Sequence, residues 1–391
     1  MKLNVGVLLM FFLFLSCGGN SSSTDNPQVP IDTENPEVPT APVEPCTSHL
    51  SPYKTQLGVG QLHIGNDENW QERIDTMDDA GVQSVRLNIK SNGEHYLESI
   101  VYAGHLGMDV LLSISLMDSW YFPTDTQKRE GNGKIKDQYR ISEIDLEKYE
   151  NVVGEIFASL DAQKSNLSII EVGSEINWAD FNGDLPVLDK GRFVTFLDEL
   201  GDDRENVLKG FEKYAELIRI TRELMDQSTH QKDTLLISAG LASSGSAGAF
   251  TNWFQNSGGT MMSIELVNDI YDELGIPEFI DGRGIHIFSR VDEEMPLDER
   301  FQITMETVTK GADVCAPEKE PCYITEWGFN SDFDGCVEDD PREPLFQEFL
   351  SAVSCTNKFP VAWVFTWDGH ETKKIYRCNR NTSFGGELVS N

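Results

Sequence analysis

Glu175 and Glu326 each follow a short apolar, β-branched run, and each has a tryptophan close by. IIEVGSEINW covers Ile169–Trp178, and CYITEWGF covers Cys322–Phe329. A carboxylate at the end of a buried strand stands at the rim of a sheet, where a substrate can reach it. Two such carboxylates over one cleft are the minimum equipment for splitting a glycosidic bond. One holds a proton as general acid, and the other stays ionised and attacks. Similar groups need different surroundings to divide those roles at one pH. A single strand-end glutamate is more often a surface or salt-bridge residue. The expectation rests on the pair.

Other strand-like runs carry matching parts. SVRLNI places Arg86 inside an apolar strand, where it must be paired or stand at the mouth. There it could orient a nucleophilic carboxylate and keep it ionised, or serve as a purely structural ion pair. GIHIFS places His286 within reach of a carboxylate or a sugar hydroxyl, with a backbone-satisfied core histidine as the alternative. FTWDG offers Trp367 as a flat floor under a sugar ring. Trp120 and Trp178 follow strands in polar loops and are the better further platforms. Tyr121, Trp253 and Trp327 are weaker, since an aromatic is more often core. Asn177 and Asp180 are candidate partners for sugar hydroxyls. There is no His-Glu-x-x-His motif, and SSGS at 243–246 is no nucleophile elbow. Neither a metal nor a cofactor is expected.

These residues need a scaffold. Eight strand-like runs occur: Leu57–Gly60, Val82–Ile89, Val110–Leu116, Leu167–Val172, Leu235–Ala239, Gly284–Phe288, Tyr323–Thr325 and Val361–Thr366. Most are continuously apolar, as in parallel strands buried on both faces. Between them lie helical stripes over Asp67–Ala80, Tyr96–Leu106, Ile144–Leu160, Val207–Met225, Ser263–Leu274, Phe301–Thr309 and Leu345–Val353. The alternation predicts a single (β/α)8 TIM barrel, with an open doubly wound sheet as runner-up. The last helix is expected to be poorly formed or missing, because Glu371–Asn391 has no helical pattern. The polar segments Ser119–Arg140 and Ala179–Leu200 become βα loops at the C-terminal face, as walls of a cleft.

The ends of the chain are of a different kind. MKLNVGVLLMFFLFLSCGG has one early Lys and an apolar run too short to span a bilayer comfortably. It stops at Leu15-Ser16-Cys17-Gly18, which resembles a bacterial lipobox and implies a lipidated Cys17. Residues 1–16 are then a lipoprotein signal peptide and 17–45 a lipid-anchored disordered tether rich in Ser, Pro, Asn and acidic residues. Residues 46–391 form the catalytic domain. The expected location is the outer membrane or cell surface, with the lipid as the sole membrane contact. Six further cysteines, Cys46, Cys315, Cys322, Cys336, Cys355 and Cys378, suit disulfides in an exported chain. The pairing stays open, and the spacings fit no zinc motif. The formal net charge of −34 makes nucleic acid an unlikely partner and leaves neutral substrates easy to accommodate. A monomer is expected.

From Leu57 to Gly369 the pattern resembles clan A of the glycoside hydrolases, the retaining (β/α)8 enzymes of the cellulase, mannanase and galactanase type. The anchors are the strand-four glutamate and ITEWGF on strand seven. The resemblance implies that Glu326 is the nucleophile and Glu175 the acid/base. The clan's strand-two arginine falls on Arg86, its strand-six position on His286 and its strand-eight tryptophan on Trp367. One position departs: Ser174 stands where the clan has Asn before the acid/base. The implied activity is endo-hydrolysis of a neutral β-glucan, β-mannan or β-galactan. The alternatives are an exo-acting β-glycosidase, or a non-catalytic surface glycan-binding lipoprotein on the same scaffold.

Overall fold

The computed structural model describes residues 55–61, 64–66, 68–90, 95–243, 254–288, 296–313, 315, 320–329, 342–356, 358–368, 375–377 and 380–381. The expected signal peptide, Cys17, the tether and Cys46 lie outside the described residues, as do Trp253, Cys336 and Cys378.

The chain alternates strands and helices. In order they are β1 (Gln56–Gln61), α1 (Trp70–Asp79), β2 (Ser84–Ile89), α2 (Tyr96–His105), β3 (Asp109–Ile114), α3 (Leu146–Ala162) and β4 (Ile169–Val172). Then come β5 (Arg192–Val194), α4 (Arg204–Gln227), β6 (Leu235–Ile237), β7 (Leu241–Ala242), β8 (Thr260–Met262) and α5 (Ile264–Glu273). The series ends with β9 (Arg283–Ile287), α6 (Leu297–Asp313), β10 (Cys322–Trp327), α7 (Glu343–Thr356) and β11 (Val361–Phe365).

The main sheet runs β6-β4-β3-β2-β1-β11-β10-β9-β7, with every pairing parallel. Its two ends, β6 and β7, are halves of one stretch, Leu235–Ala242. Bridges Ile237–Gly282 and Ser174–Gly240 continue the pairing across the break. The sheet therefore returns on itself as an eight-position (β/α)8 barrel. The fifth strand, expected as one run, is split next to Gly240. The reason lies in the site below.

Parallel strands need long crossovers, and helices with one apolar stripe supply them. α3 buries Tyr149, Val153, Ile156, Phe157 and Leu160 at helical spacing. Asp145 starts it by accepting the backbone N–H groups of Glu147 and Lys148. α4 buries Val207, Phe211, Tyr214, Leu217, Ile218 and Met225, with Leu208 and Leu224 at the edge. These faces join one apolar cluster with outward strand residues such as Val85, Leu87 and Ile89 of β2, on which α2 packs.

Inside the barrel the side chains form layers. Leu111, Ile169, Ile237, Tyr323 and Trp363 make an apolar floor. Gly58 leaves room there, since a Cβ on it would meet the Trp363 ring at 2.3 Å. Strand side chains alternate, so the next inward positions are two residues further on. On β3, β4 and β10 those positions are Ser113, Glu171 and Thr325, buried and polar, while Ala239 and Phe365 stand two past Ile237 and Trp363. Hydrogen-bonding groups thus enter the barrel interior toward the C-terminal ends on those three strands.

Among the described residues no helix follows β11. Tyr376–Arg377 and Arg380–Asn381 pair as a short antiparallel hairpin, β12 and β13. Cys315 and Cys322 are disulfide-bonded and pin the approach to β10. Cys355 is also in a disulfide.

Candidate active site

β2 supplies Arg86, β4 supplies Glu171 and Glu175 follows it, β9 supplies His286, and β10 supplies Glu326. Arg86 is buried and its guanidinium is shared. Nε and Nη2 donate to Glu171 Oε2 at 2.9 and 2.7 Å, Nη1 donates to Glu326 Oε1 at 2.7 Å, and Nη2 also reaches Ser113 Oγ at 3.2 Å. Burial works against the cation, but Glu171 and Glu326 outweigh it and hold the Arg86 pKa above its usual value.

His286 is fully buried. Its Nδ1 lies 2.9 Å from Glu175 Oε1 and 3.7 Å from Glu326 Oε2. Burial lowers an imidazole pKa. Here the charge of Glu326 and the hydrogen bond to Glu175 win, and the His286 pKa is raised. The imidazole stands between the two carboxylates, hydrogen-bonded to Glu175. Among the described residues, Glu175, His286 and Glu326 are also the one set with metal-ligand spacing, their atoms lying within 4.8 Å of one another. The Arg86 cation already contacts this set and supplies the positive charge that a metal ion would bring.

Two backbone irregularities aim the carboxylates. Gly173 and Glu175 both have positive φ, +86° and +50°. For glutamate that left-handed geometry costs about 1–2 kcal/mol. It turns the chain at the end of β4, and the Glu175 N–H then donates to Gly240 O at 2.8 Å. On β10 the register slips between Ile324 and Glu326, so that Glu326 pairs with His286. A bulge of this kind re-aims a side chain. Gly240 completes the packing. Its N–H donates to Glu171 Oε1 at 3.1 Å, and a Cβ there would stand 2.3 Å from His286 Nε2 and 2.4 Å from Thr325 Oγ1. The fifth strand is interrupted where the site needs this bare backbone.

The structure thus brings Glu175, Glu326, Arg86 and His286 together. Ser174 lies beside them, bridged to Gly240 and partly exposed. Trp120 and Trp178 are partly exposed, in the loops after β3 and β4. Three expected substrate contacts have other placements. Trp367 is fully buried, with Nε1 3.3 Å from Thr76 Oγ1, and has no face for a sugar. Asn177 is fully buried: its Nδ2 donates to the carbonyls of Ala242 and Met262, and its Oδ1 accepts the Ala242 N–H, all at 2.9 Å. It ties the post-β4 turn to its neighbours. Asp180 is held by the backbone N–H and Nζ of Lys136, at 2.8 and 2.7 Å. Of the weaker aromatics, Trp327 is core, stacked on Phe349 with centroids 4.4 Å apart, and Tyr121 packs on Tyr149.

Glu171 is the residue that sequence reasoning missed. A signal existed: an ionisable group between Ile170 and Val172 in a strand buried on both faces requires a buried cation, and Arg86 is an inward residue two strands away.

No protein-family model matches the sequence, and no curated protein does so. Solved structures match in fold. A broad-specificity endoglucanase from Clostridium acetobutylicum superposes with a TM-score of 0.52 at 13% identity, covering 86% of this chain and 97% of that one. A family 5 xyloglucanase from Paenibacillus pabuli gives 0.52 at 14% identity, covering 86% and 98%. A β-glucosidase from Exiguobacterium marinum gives 0.51 at 10% identity, again covering 86% and 98%. At such identities the likeness defines the barrel, and the chemistry must be argued from the residues.

Proposed function

We propose that this protein is a retaining glycoside hydrolase, endo-acting on a neutral β-linked polysaccharide. The observation that carries the reading is the carboxylate pair. Glu175 and Glu326 present oxygens within 4.8 Å of each other. That close approach supports the tightly set carboxyls of retaining enzymes, about 5–5.5 Å apart, over the wider pair of about 6.5–9.5 Å in inverting ones. Glu326 faces the Arg86 guanidinium, and an attacking carboxylate must be the anion. Glu175 faces the His286 imidazole, with which it can exchange a proton. Glu326 therefore attacks the anomeric carbon while Glu175 protonates the leaving oxygen. Glu175 then draws a proton from water, which releases the sugar from Glu326 with net retention.

The acidic chain favours a neutral glycan over a polyanion. The endoglucanase and xyloglucanase named above share this barrel, which supports placing this chain's chemistry in their class. We further infer a lipid anchor at Cys17 on an exported protein. Incorporation of a labelled fatty acid, abolished in Cys17→Ala, tests that part.

The activity test is hydrolysis of neutral β-glucans, β-mannans and β-galactans by residues 46–391, beside Glu175→Gln and Glu326→Gln. The expected result is cleavage to oligosaccharides of retained anomeric configuration, lost in both variants. Glycan binding without cleavage, equal in all three proteins, overturns the hydrolase in favour of a binding protein.

A further inference from the structure

The long connection between β4 and α4 carries large exposed apolar side chains. Phe193, on β5, is 41% exposed, and Phe196 is 70% exposed. Soluble chains leave single hydrophobes in water often, so exposure alone decides little. The strand register says more. β5 pairs in parallel with β8, placing Phe193 opposite Met261. Met261 in turn bridges Trp178 from its other side. Residues opposite one another across paired strands project to the same face. Trp178, Met261 and Phe193 therefore form one row across three strand segments. Val194, one residue on, is fully buried on the opposite face.

The row begins at the catalytic groups. Trp178 is three residues past Glu175. It packs on a small apolar cluster of Ala242, Phe254 and Met261, and Ala242 is the register partner of His286. Two inter-strand steps of about 4.8 Å set Phe193 about 10 Å from Trp178, with Met261 buried beneath the surface between them. That span is comparable with two sugar units of an extended glycan.

We propose that Phe193 is the outer aromatic platform of a glycan track that leaves the cleavage point on the acid/base side. The inference rests on the hydrolase reading and adds where the leaving portion of the polymer lies. A neutral, hydroxylated chain is the occupant the surroundings fit. Asp198, Glu199 and Asp202 follow on the same segment. Its arginines are engaged, Arg192 with Asp203 and Arg204 with Asp198. Anionic lipid or a polyanion would meet this acidic edge unfavourably, whereas the C–H faces of a sugar pack on an exposed ring without needing charge. A platform here holds long chains and is idle for short ones, as endo-action on a polymer requires.

The test compares the wild type with Phe193→Ala and Phe193→Tyr on a polymeric glycan that the enzyme cleaves and on a short aryl glycoside. In Phe193→Ala, KM for the polymer should rise about three- to tenfold, the loss one aromatic contact gives. The kcat value and aryl-glycoside kinetics should stay unchanged, and Phe193→Tyr should restore KM. Hydrolysis with the same polymer KM in Phe193→Ala overturns the track alone. So does a fall in oligomeric mass of that variant at unchanged KM, which assigns the face to a second copy of the chain. A wild type that cleaves no glycan overturns the track together with the hydrolase reading.

Discussion

Arg86 holds Glu326 through one N–H, from Nη1 to Oε1 at 2.7 Å, and commits the other edge of its guanidinium to Glu171. Glu326, the proposed nucleophile, is thus positioned by a cation that a second carboxylate, Glu171, fixes. Glu171→Gln keeps the shape and removes the charge. Losing one partner of a buried ion pair costs about 3–5 kcal/mol. The melting temperature should fall accordingly. A released Arg86 would let Glu326 drift, and kcat/KM should drop by up to about 100-fold. Kinetics beside a thermal melt check this, and unchanged kcat/KM would show that Arg86 needs no second anchor.

Gly240 makes a sharper steric prediction. An alanine Cβ would sit 2.3 Å from His286 Nε2, inside contact distance, so the imidazole must shift and its hydrogen bond to Glu175 is disturbed. Gly240→Ala should lose at least tenfold in kcat/KM and about 1–3 kcal/mol of stability. Gly104 in α2 is the contrast. There a Cβ meets only Ser165 Oγ at 3.5 Å, and Gly104→Ala should stabilise the helix by about 0.5–1 kcal/mol with activity intact. Equal activity of the two variants would refute the close packing around His286.

The barrel and the meeting of Glu175 with Glu326 were legible because they follow from run length and strand ends. Ile169–Val172 and Cys322–Thr325 are apolar strands, and Glu175 and Glu326 stand just past or at their ends. What single-strand reading loses is which face a residue takes. Trp367 looked like a mouth residue, yet it is buried against α1 through Thr76. Asn177 looked like a sugar ligand, yet its amide is consumed by Ala242 and Met262. Glu171 was hidden because its partner comes from β2, a relation set by strand register rather than by neighbours in the chain. β5 and β8 were illegible for the same reason: three-residue strands have too little pattern to announce a pairing.

His286 predicts a pH signature. Its pKa is raised in the folded protein, because Glu326 and Glu175 together outweigh burial. A raised pKa contributes stability that is fully present below the unfolded value of about 6.5 and is lost as pH rises through the folded value. His286→Gln cannot carry that proton. The melting-temperature gap between wild type and His286→Gln should be widest below about pH 6.5 and narrow above it. Melts across a pH series check this, and a gap constant with pH would mean that His286 stays neutral. The variant should also lose activity, since Glu175 would have no imidazole with which to exchange its proton.

Asp184 lies in the same connection as β5, beside Ser142 and Gly210 of α4, and is buried. Its Oδ1 accepts the Ser142 hydroxyl at 2.5 Å and its Oδ2 the Ser142 N–H at 3.1 Å. Burial is the larger effect and pushes its pKa up to about 6. The folded protein therefore keeps this proton up to about pH 6, while the unfolded chain loses it near pH 4. The resulting stability is complete below about pH 4 and gone once pH has risen through about 6, a difference of about 3 kcal/mol. Asn at this position stays neutral, and its amide can donate to the Ser142 hydroxyl while its oxygen accepts the Ser142 N–H. Asp184→Asn should gain about 3 kcal/mol on the wild type between pH 4 and pH 7 by denaturant unfolding. A constant difference across that range would mean that solvent reaches the carboxylate and that this end of the loop opens in solution.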